Sequence, residues 1–347
     1  MWQSWLQTAC GWAVTAAMLL STEPGRAAED VSIGITNAAS DIVLFIADAK
    51  GFFKSEDIKP DFIEFDSAAK MIAPLGAGQL DVGGGAASSG LYNAIERGIG
   101  LRIVADKARN APGFGFQSLL VRKALVTDGS VKTIADLRGR KIAIVAQASS
   151  DASVLNEALK SAGLGFDDVD KVYLGFPQQL AAYQNGAIDA SITTEPTVTV
   201  ILDASTAVRL VSNDQFYPNA QTAVILYGQA FSEGRRQVAN GFMKAYVRAI
   251  RYYNDALSNG RIAAANADEI IAIMANYSAI KDPDLIRRMT AHSVDPNGVV
   301  NFESLKKDWT FFKNQHQISG KVTVDQVVDP TFAQAAVRSL GPYRSAR

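Results

Sequence analysis

The 347-residue chain carries one cysteine and two histidines, His292 and His316. The single thiol, Cys10, lies inside an apolar N-terminal run, so neither a disulfide framework nor a cysteine-based metal site has material to draw on. Two histidines give equally little for a histidine-rich zinc site or a Ser-His-Asp triad. Charge of one sign is also scarce: 34 Lys and Arg stand against 35 Asp and Glu, for a net charge of −1. No long block of either sign occurs, and this speaks against a nucleic-acid surface.

The apolar run that does occur, Ala9–Leu20, has the length of a signal-peptide core and is too short to span a bilayer comfortably. Gly25-Arg26-Ala27 follows with the small–x–small pattern of a signal-peptidase site, although no Lys or Arg precedes the run. We expect residues 1–27 to be a signal peptide, the protein to be periplasmic, and the mature chain to have 320 residues. That length favours two compact lobes over one.

Beyond the leader, short apolar runs alternate with amphipathic helical stretches, the rhythm of an α/β protein. "VSIGIT", "KPDFIEFD", "LDVGG" and "LRIVADKA" read as strands, with helical patterns between them. The plan restarts at Thr133 with "TIADLRGRKIAIV", "KVYLGF" and "IDASITTEP" as further strand segments. A long helix follows, with Val238, Phe242, Tyr246, Ile250, Tyr253 and Leu257 on one stripe. Two apolar, extended segments without proline, "FQSLLVRK" (Phe116–Lys123) and "TAVILYG" (Thr222–Gly228), read as strands crossing between lobes. The expected division is residues 28–117 with 223–347 as lobe one, and 118–222 as an inserted lobe two.

Four strand-to-helix junctions share one chemistry: "TNAASD" (Thr36–Asp41), "GGGAASSG" (Gly83–Gly90), "VAQASSDAS" (Val145–Ser153) and "TTEPT" (Thr193–Thr197). All are small in bulk and rich in hydroxyls or amides. A single such turn is explained by tight strand–helix packing, and Ser149 or Ser150 by helix capping. Four of them, two per lobe, point to a ligand cleft at the carboxyl ends of the strands, where helix N-termini present free N–H groups. None holds Arg or Lys, so an anion there would be bound by N–H groups and hydroxyls. The small residues leave room for a bulky, even aromatic, solute. Phe114 and Phe116 beside the first crossing are either core or a stacking surface. Glu195 would accept from an amino group, donate to a carboxylate when protonated, or make a structural hydrogen bond.

"GFFKSEDI", "LGAGQLDVG", "TIADLRGRKIAI", "KSAGL" and "AYQNGAIDASITTEP" occur in an order and spacing that resemble a known family. Over residues 31–340 the chain resembles periplasmic solute-binding proteins of ABC importers, in the nitrate/sulfonate/taurine and thiamine-precursor group. The resemblance implies a two-lobed "Venus flytrap" of type II topology, with two interlobe crossings. It would close on a small organic solute and deliver it to an inner-membrane permease and its ATPase. It also implies ligand contacts at Asn37, Ala38, Ala39, Gly85, Ala86, Ala87, Ser88, Gln147, Ser149, Thr194 and Glu195, to which Phe116 is added as the stacking candidate. Asp81, Asp189, Gly51, Phe52 and Phe53 read as structural. The expected protein is a monomeric, non-enzymatic binder without cofactor, metal or nucleic acid, for a sulfonate or aromatic carboxylate. An amino-pyrimidine vitamin precursor is the alternative solute. A pyrimidine synthase of the same fold would need a His- and Cys-rich iron site, and a sensor would need a DNA-binding or membrane segment.

Overall fold

The computed structural model describes residues 27–345, so the expected signal peptide lies almost wholly outside them. Ten strands form two five-stranded mixed sheets. The first contains β1 (Glu29–Ile35), β2 (Ile58–Glu64), β3 (Val82–Gly85), β4 (Leu101–Asn110) and β10 (Ala220–Gly228), in the order β2-β1-β3-β10-β4. The second contains β5 (Gln117–Arg122), β6 (Lys141–Ile144), β7 (Asp170–Tyr173), β8 (Ala190–Thr194) and β9 (Ala207–Ser212), in the order β7-β6-β8-β5-β9. Each sheet is the centre of an α/β lobe, and β5 and β10 are the antiparallel members.

The chain passes between the sheets at residues 111–116 and 213–219. Neither of the two apolar segments expected to cross does so: β5 lies wholly in the second sheet and β10 wholly in the first. Their continuous apolar character has another cause, since both pair on two sides and are buried. The expected boundaries at 117/118 and 222/223 thus fall just inside β5 and within β10. The strand β9, with only Ala207 fully buried, gave no strong apolar signal in the sequence.

The long helix Arg236–Asp255 covers the first sheet with Val238, Phe242, Tyr246, Ile250 and Tyr253 buried, as its stripe predicts. The helix that follows β1, Ile42–Ala49, stops at Ala49. Gly51, at φ +66°, turns the chain there, and Phe53 drops into the core against Phe242. Asp81 and Asp189 both tie strand ends together. Asp81 accepts from the Ser32 backbone N–H at 3.0 Å and pairs with Arg235, while Asp189 pairs with Arg122.

Candidate functional site

The carboxyl ends of strands from both sheets face one another around a cavity of about 50 Å³. The first lobe contributes Thr36, Ala38 and Ser40 after β1, Asp66, Ser67, Ala68 and Ala69 after β2, and Gly85 and Ala86 at β3. Thr222 and Ala223 of β10 complete that side, and Phe116 and Gln117 close it where the chain enters the second lobe. The second lobe contributes Val145, Ser149 and Asp151 after β6, Phe176, and Thr194 at the end of β8. Cavities of about 400 to 530 Å³ elsewhere on the surface are each lined by the first lobe alone. At this junction, by contrast, hydroxyls and carboxylates of both lobes converge.

Main-chain groups join the lobes around the cavity. The Ala39 N–H donates to the Glu195 carbonyl at 2.8 Å, and the Ser89 N–H donates to the Ala148 carbonyl at 3.0 Å. The Ser150 hydroxyl donates to the Thr222 carbonyl at 3.2 Å, and the Thr290 N–H to the Glu195 carboxylate at 3.1 Å. The lobes are therefore closed. By the same volume measure a water-sized group needs about 10–15 Å³, so the inner part of this half-open cavity admits roughly four such groups. That is the size of one functional group of a solute and too small for an aromatic ring. A second cavity of about 210 Å³, lined largely by apolar side chains including Phe45, Leu180, Val200 and Met274, lies on the other side of Ala38.

Of the residues expected at the site, Ala38, Gly85, Ala86, Phe116, Ser149 and Thr194 line the cavity together. The Thr194 hydroxyl is buried with no hydrogen-bond partner. Asn37 lines the neighbouring cavity instead. Ala39 is occupied in the interlobe bond to Glu195, and Ala87 is packed in the core. Ser88 caps the helix Ser89–Glu96, accepting from the Leu91 N–H at 3.3 Å. Gln147 is exposed, its carbonyl accepting from Gln317. Glu195 is fully buried beside the cavity rather than in its wall, and burial pushes its carboxyl up to about 7. The Ser149 side chain makes no cap bond and donates instead to the Ala146 carbonyl at 3.1 Å.

Three features escaped sequence reasoning. The loop "FDSAAK" after β2 lines the cavity and carries the same small, hydroxyl-bearing pattern as the other junctions, so it was findable by the same rule. Gln117 and Asp151 form a buried pair in the wall, the Gln117 amide donating to Asp151 at 3.0 Å and accepting from the Asn213 amide at 2.7 Å. The third is Lys107, whose side chain is fully buried behind the wall. Ala108 opposes Ala223 and Asp106 opposes Val224, leaving Lys107 as the extra residue of a β-bulge. Its ammonium donates to the Ser40 hydroxyl at 2.8 Å and pairs with Asp41 at 2.7 Å.

The glycine run now has an explanation in parts. A Cβ on Gly83 would meet Leu75 at 3.0 Å, and one on Gly84 would meet Lys107 Cε at 2.9 Å. One on Gly85 would meet the Ala68 Cβ at 2.6 Å. Gly84 clears the path of the buried lysine, while Gly85 lets the loop after β2 approach the cavity.

Carboxylates already take up main-chain donors near the strand ends where an anion would sit. Asp41 accepts from the N–H groups of Thr36 at 3.3 Å and Ala38 at 3.0 Å. Glu195 accepts from Thr199 at 2.9 Å, and Asp151 from the Val145 N–H. Of these donors the Thr199 N–H, in the first turn of the helix Thr197–Asp203, is one that a helix start leaves free.

Residues 39–256, more than half of the chain, match the model of the NMT1/THI5-like family. The chain belongs to that family. It is 31% identical over 132 residues to a putative aliphatic sulfonates-binding protein of Escherichia coli, over 38% of this chain and 39% of that protein. The match thus spans well under two thirds of that relative's length. The fold is that of the alkanesulfonate-binding protein SsuA from Xanthomonas axonopodis pv. citri, solved bound to MOPS. The TM-score is 0.69 at 19% identity, covering 87% of this chain and 99% of SsuA. The desulfurization enzyme DSZB shares the fold at TM-score 0.62 and 15% identity, covering 90% of this chain and 100% of DSZB. The two-lobed architecture of this NMT1/THI5-like protein is therefore that of periplasmic binding proteins, and the architecture also carries at least one enzyme.

Proposed function

We propose that the protein is the solute-binding component of an ABC-type uptake system, exported to the periplasm, monomeric and non-enzymatic. It captures a small organic solute between its lobes and hands it to a membrane permease with its ATPase. The observation that carries this reading is the cavity built from small, hydroxyl-bearing strand ends of both lobes and flanked by interlobe main-chain bonds. Such a site senses whether a solute bridges the lobes, which is what a delivery protein has to signal. The names of relatives favour sulfonates, and aromatic carboxylates are the next class. Asp151 in the wall favours an amino-pyrimidine as the second reading.

The contribution of this chain's residues to capture follows from the geometry. Thr194 offers an unused hydroxyl, and Ser149 and Thr36 bring further hydroxyls to the wall. Phe116, stacked obliquely on His292 at 5.6 Å between centroids, gives the cavity a fixed apolar side. His292 is neutral, since burial drives its pKa down to about 3.

The test is a thermal-shift screen of residues 28–347 against sulfonates, aromatic carboxylates and amino-pyrimidines, followed by small-angle scattering with any hit. A ligand at 100 times its Kd should add about 2.7 kcal/mol of stability. The scattering profile with ligand should match this closed arrangement. A panel in which no compound raises the melting temperature would remove the support for this reading.

A further inference from the structure

The wall of the cavity holds no Lys, Arg or His, and its charged residues are Asp66 and Asp151. Asp66 is exposed and pairs with Lys70 outside. Asp151 is different: it is 5% exposed, and no ion pair involves it among the described residues. Its two partners are the neutral Gln117 amide and the Val145 N–H, and a carboxylate has about four acceptor positions. Thr194 adds an unpartnered hydroxyl to the same wall, 3% exposed as a residue. Taking a carboxylate out of water without a counter-charge is costly unless something supplies the missing donors.

An oxyanion makes a poor occupant here. Part of the main-chain donor set near it is already spent, the Thr36 and Ala38 N–H groups on Asp41 and the Thr199 N–H on Glu195. The buried cation behind the wall, Lys107, is screened by Ser40 and neutralised by Asp41. A bound sulfonate or carboxylate group would face Asp151 with no cation of the wall between them.

We infer that the functional group enclosed in this cavity is an amino group of the solute, received by the Asp151 carboxylate with Thr194 as a second acceptor. This rests on the binding-protein reading above and specifies the end of the solute that the closed lobes enclose. The remainder of the solute, which an anionic group at its far end would not contradict, lies outside the 50 Å³ cavity. Burial raises the Asp151 carboxyl to about 6, and a cationic or strongly donating amine against it would favour its ionised form.

The experiment compares amino compounds with methyl isosteres by calorimetry on the mature protein: 2-aminoethanesulfonate with 1-propanesulfonate, 4-aminobenzoate with 4-methylbenzoate, and 4-amino-2-methylpyrimidine with 2,4-dimethylpyrimidine. In any pair that binds, the amino member should bind about ten-fold tighter or more. Asp151→Asn should erase that preference while leaving the ligand-free melting temperature unchanged or higher, because it removes an uncompensated buried charge. Thr194→Val is a second variant and should weaken only the amino member. Equal or tighter binding of a methyl isostere would overturn the inference and leave the binding-protein reading standing. A lower ligand-free melting temperature for Asp151→Asn with the preference intact would assign the carboxylate to architecture and overturn it as well. If no member of any pair binds at millimolar concentration, both readings fall for these solutes.

Discussion

The substitution Gly84→Ala would expose how the buried lysine supports the cavity. Gly84 is not at a left-handed φ, so alanine meets no backbone penalty there. The added methyl would lie 2.9 Å from Lys107 Cε, 3.3 Å from its Cδ and 3.2 Å from the Gly34 carbonyl oxygen. The lysine stem must therefore move by several tenths of an ångström, yet its ammonium is pinned by Ser40 and Asp41 at 2.8 and 2.7 Å. Overpacking alone costs about 1–3 kcal/mol, and a fully broken buried pair costs about 3–5 kcal/mol. A strained but surviving pair puts the expected loss at about 2–4 kcal/mol. At about 2–4 °C per kcal/mol the melting temperature should fall by roughly 4–16 °C. A double-mutant cycle with Lys107→Ala isolates the cause. Without the stem, the methyl added at position 84 meets only the Gly34 carbonyl, and its cost should shrink by about 1 kcal/mol or more. Additivity within about 0.5 kcal/mol would show that Gly84 does not serve Lys107, and the reasoning would be refuted.

Two further results are expected. Ala86→Leu fills the cavity wall and should cut solute affinity about ten-fold with little change in melting temperature, whereas Ala87→Leu enters the core and should cost about 1–3 kcal/mol of stability instead; calorimetry and thermal melts on both variants separate the two effects, and the reverse order would misplace the wall. Glu195 ionises near 7 in the folded protein against an ordinary value of 4.5, so wild-type stability falls as pH rises through that window. Glu195→Gln mimics the neutral form and should gain on wild type by about 1–3 kcal/mol between about pH 4.5 and pH 8, and a pH-independent difference between the two melts would contradict it.

The fold was largely legible because alternating apolar runs and helical stripes record burial directly, as in Val238, Phe242, Tyr246 and Ile250. The crossings were misplaced because an apolar run reports burial and not sheet membership, so β5 and β10 read as connectors when each is an inner strand. The junction rule located both walls of the cavity through Ala38, Gly85, Ala86, Ser149 and Thr194. It did not single out Asp151, which sits among small residues as an ordinary helix-start acid and becomes distinctive only when Gln117 and Thr194 close around it. Lys107 was hidden for a similar reason. A lysine in "LRIVADKA" looks like a solvent-facing strand residue, and only the bulge aims it inward.

The bonds from Ala39 and Thr290 to Glu195, from Ser89 to Ala148 and from Ser150 to Thr222 act as a gate as well as a seal. At a net of about 1 kcal/mol each, the four together favour the joined form over a parted one. For a solute held between the lobes, breaking these bonds belongs to arrival and departure alike. Weakening any one of these bonds, for example with Ser150→Ala, should quicken solute binding and release together.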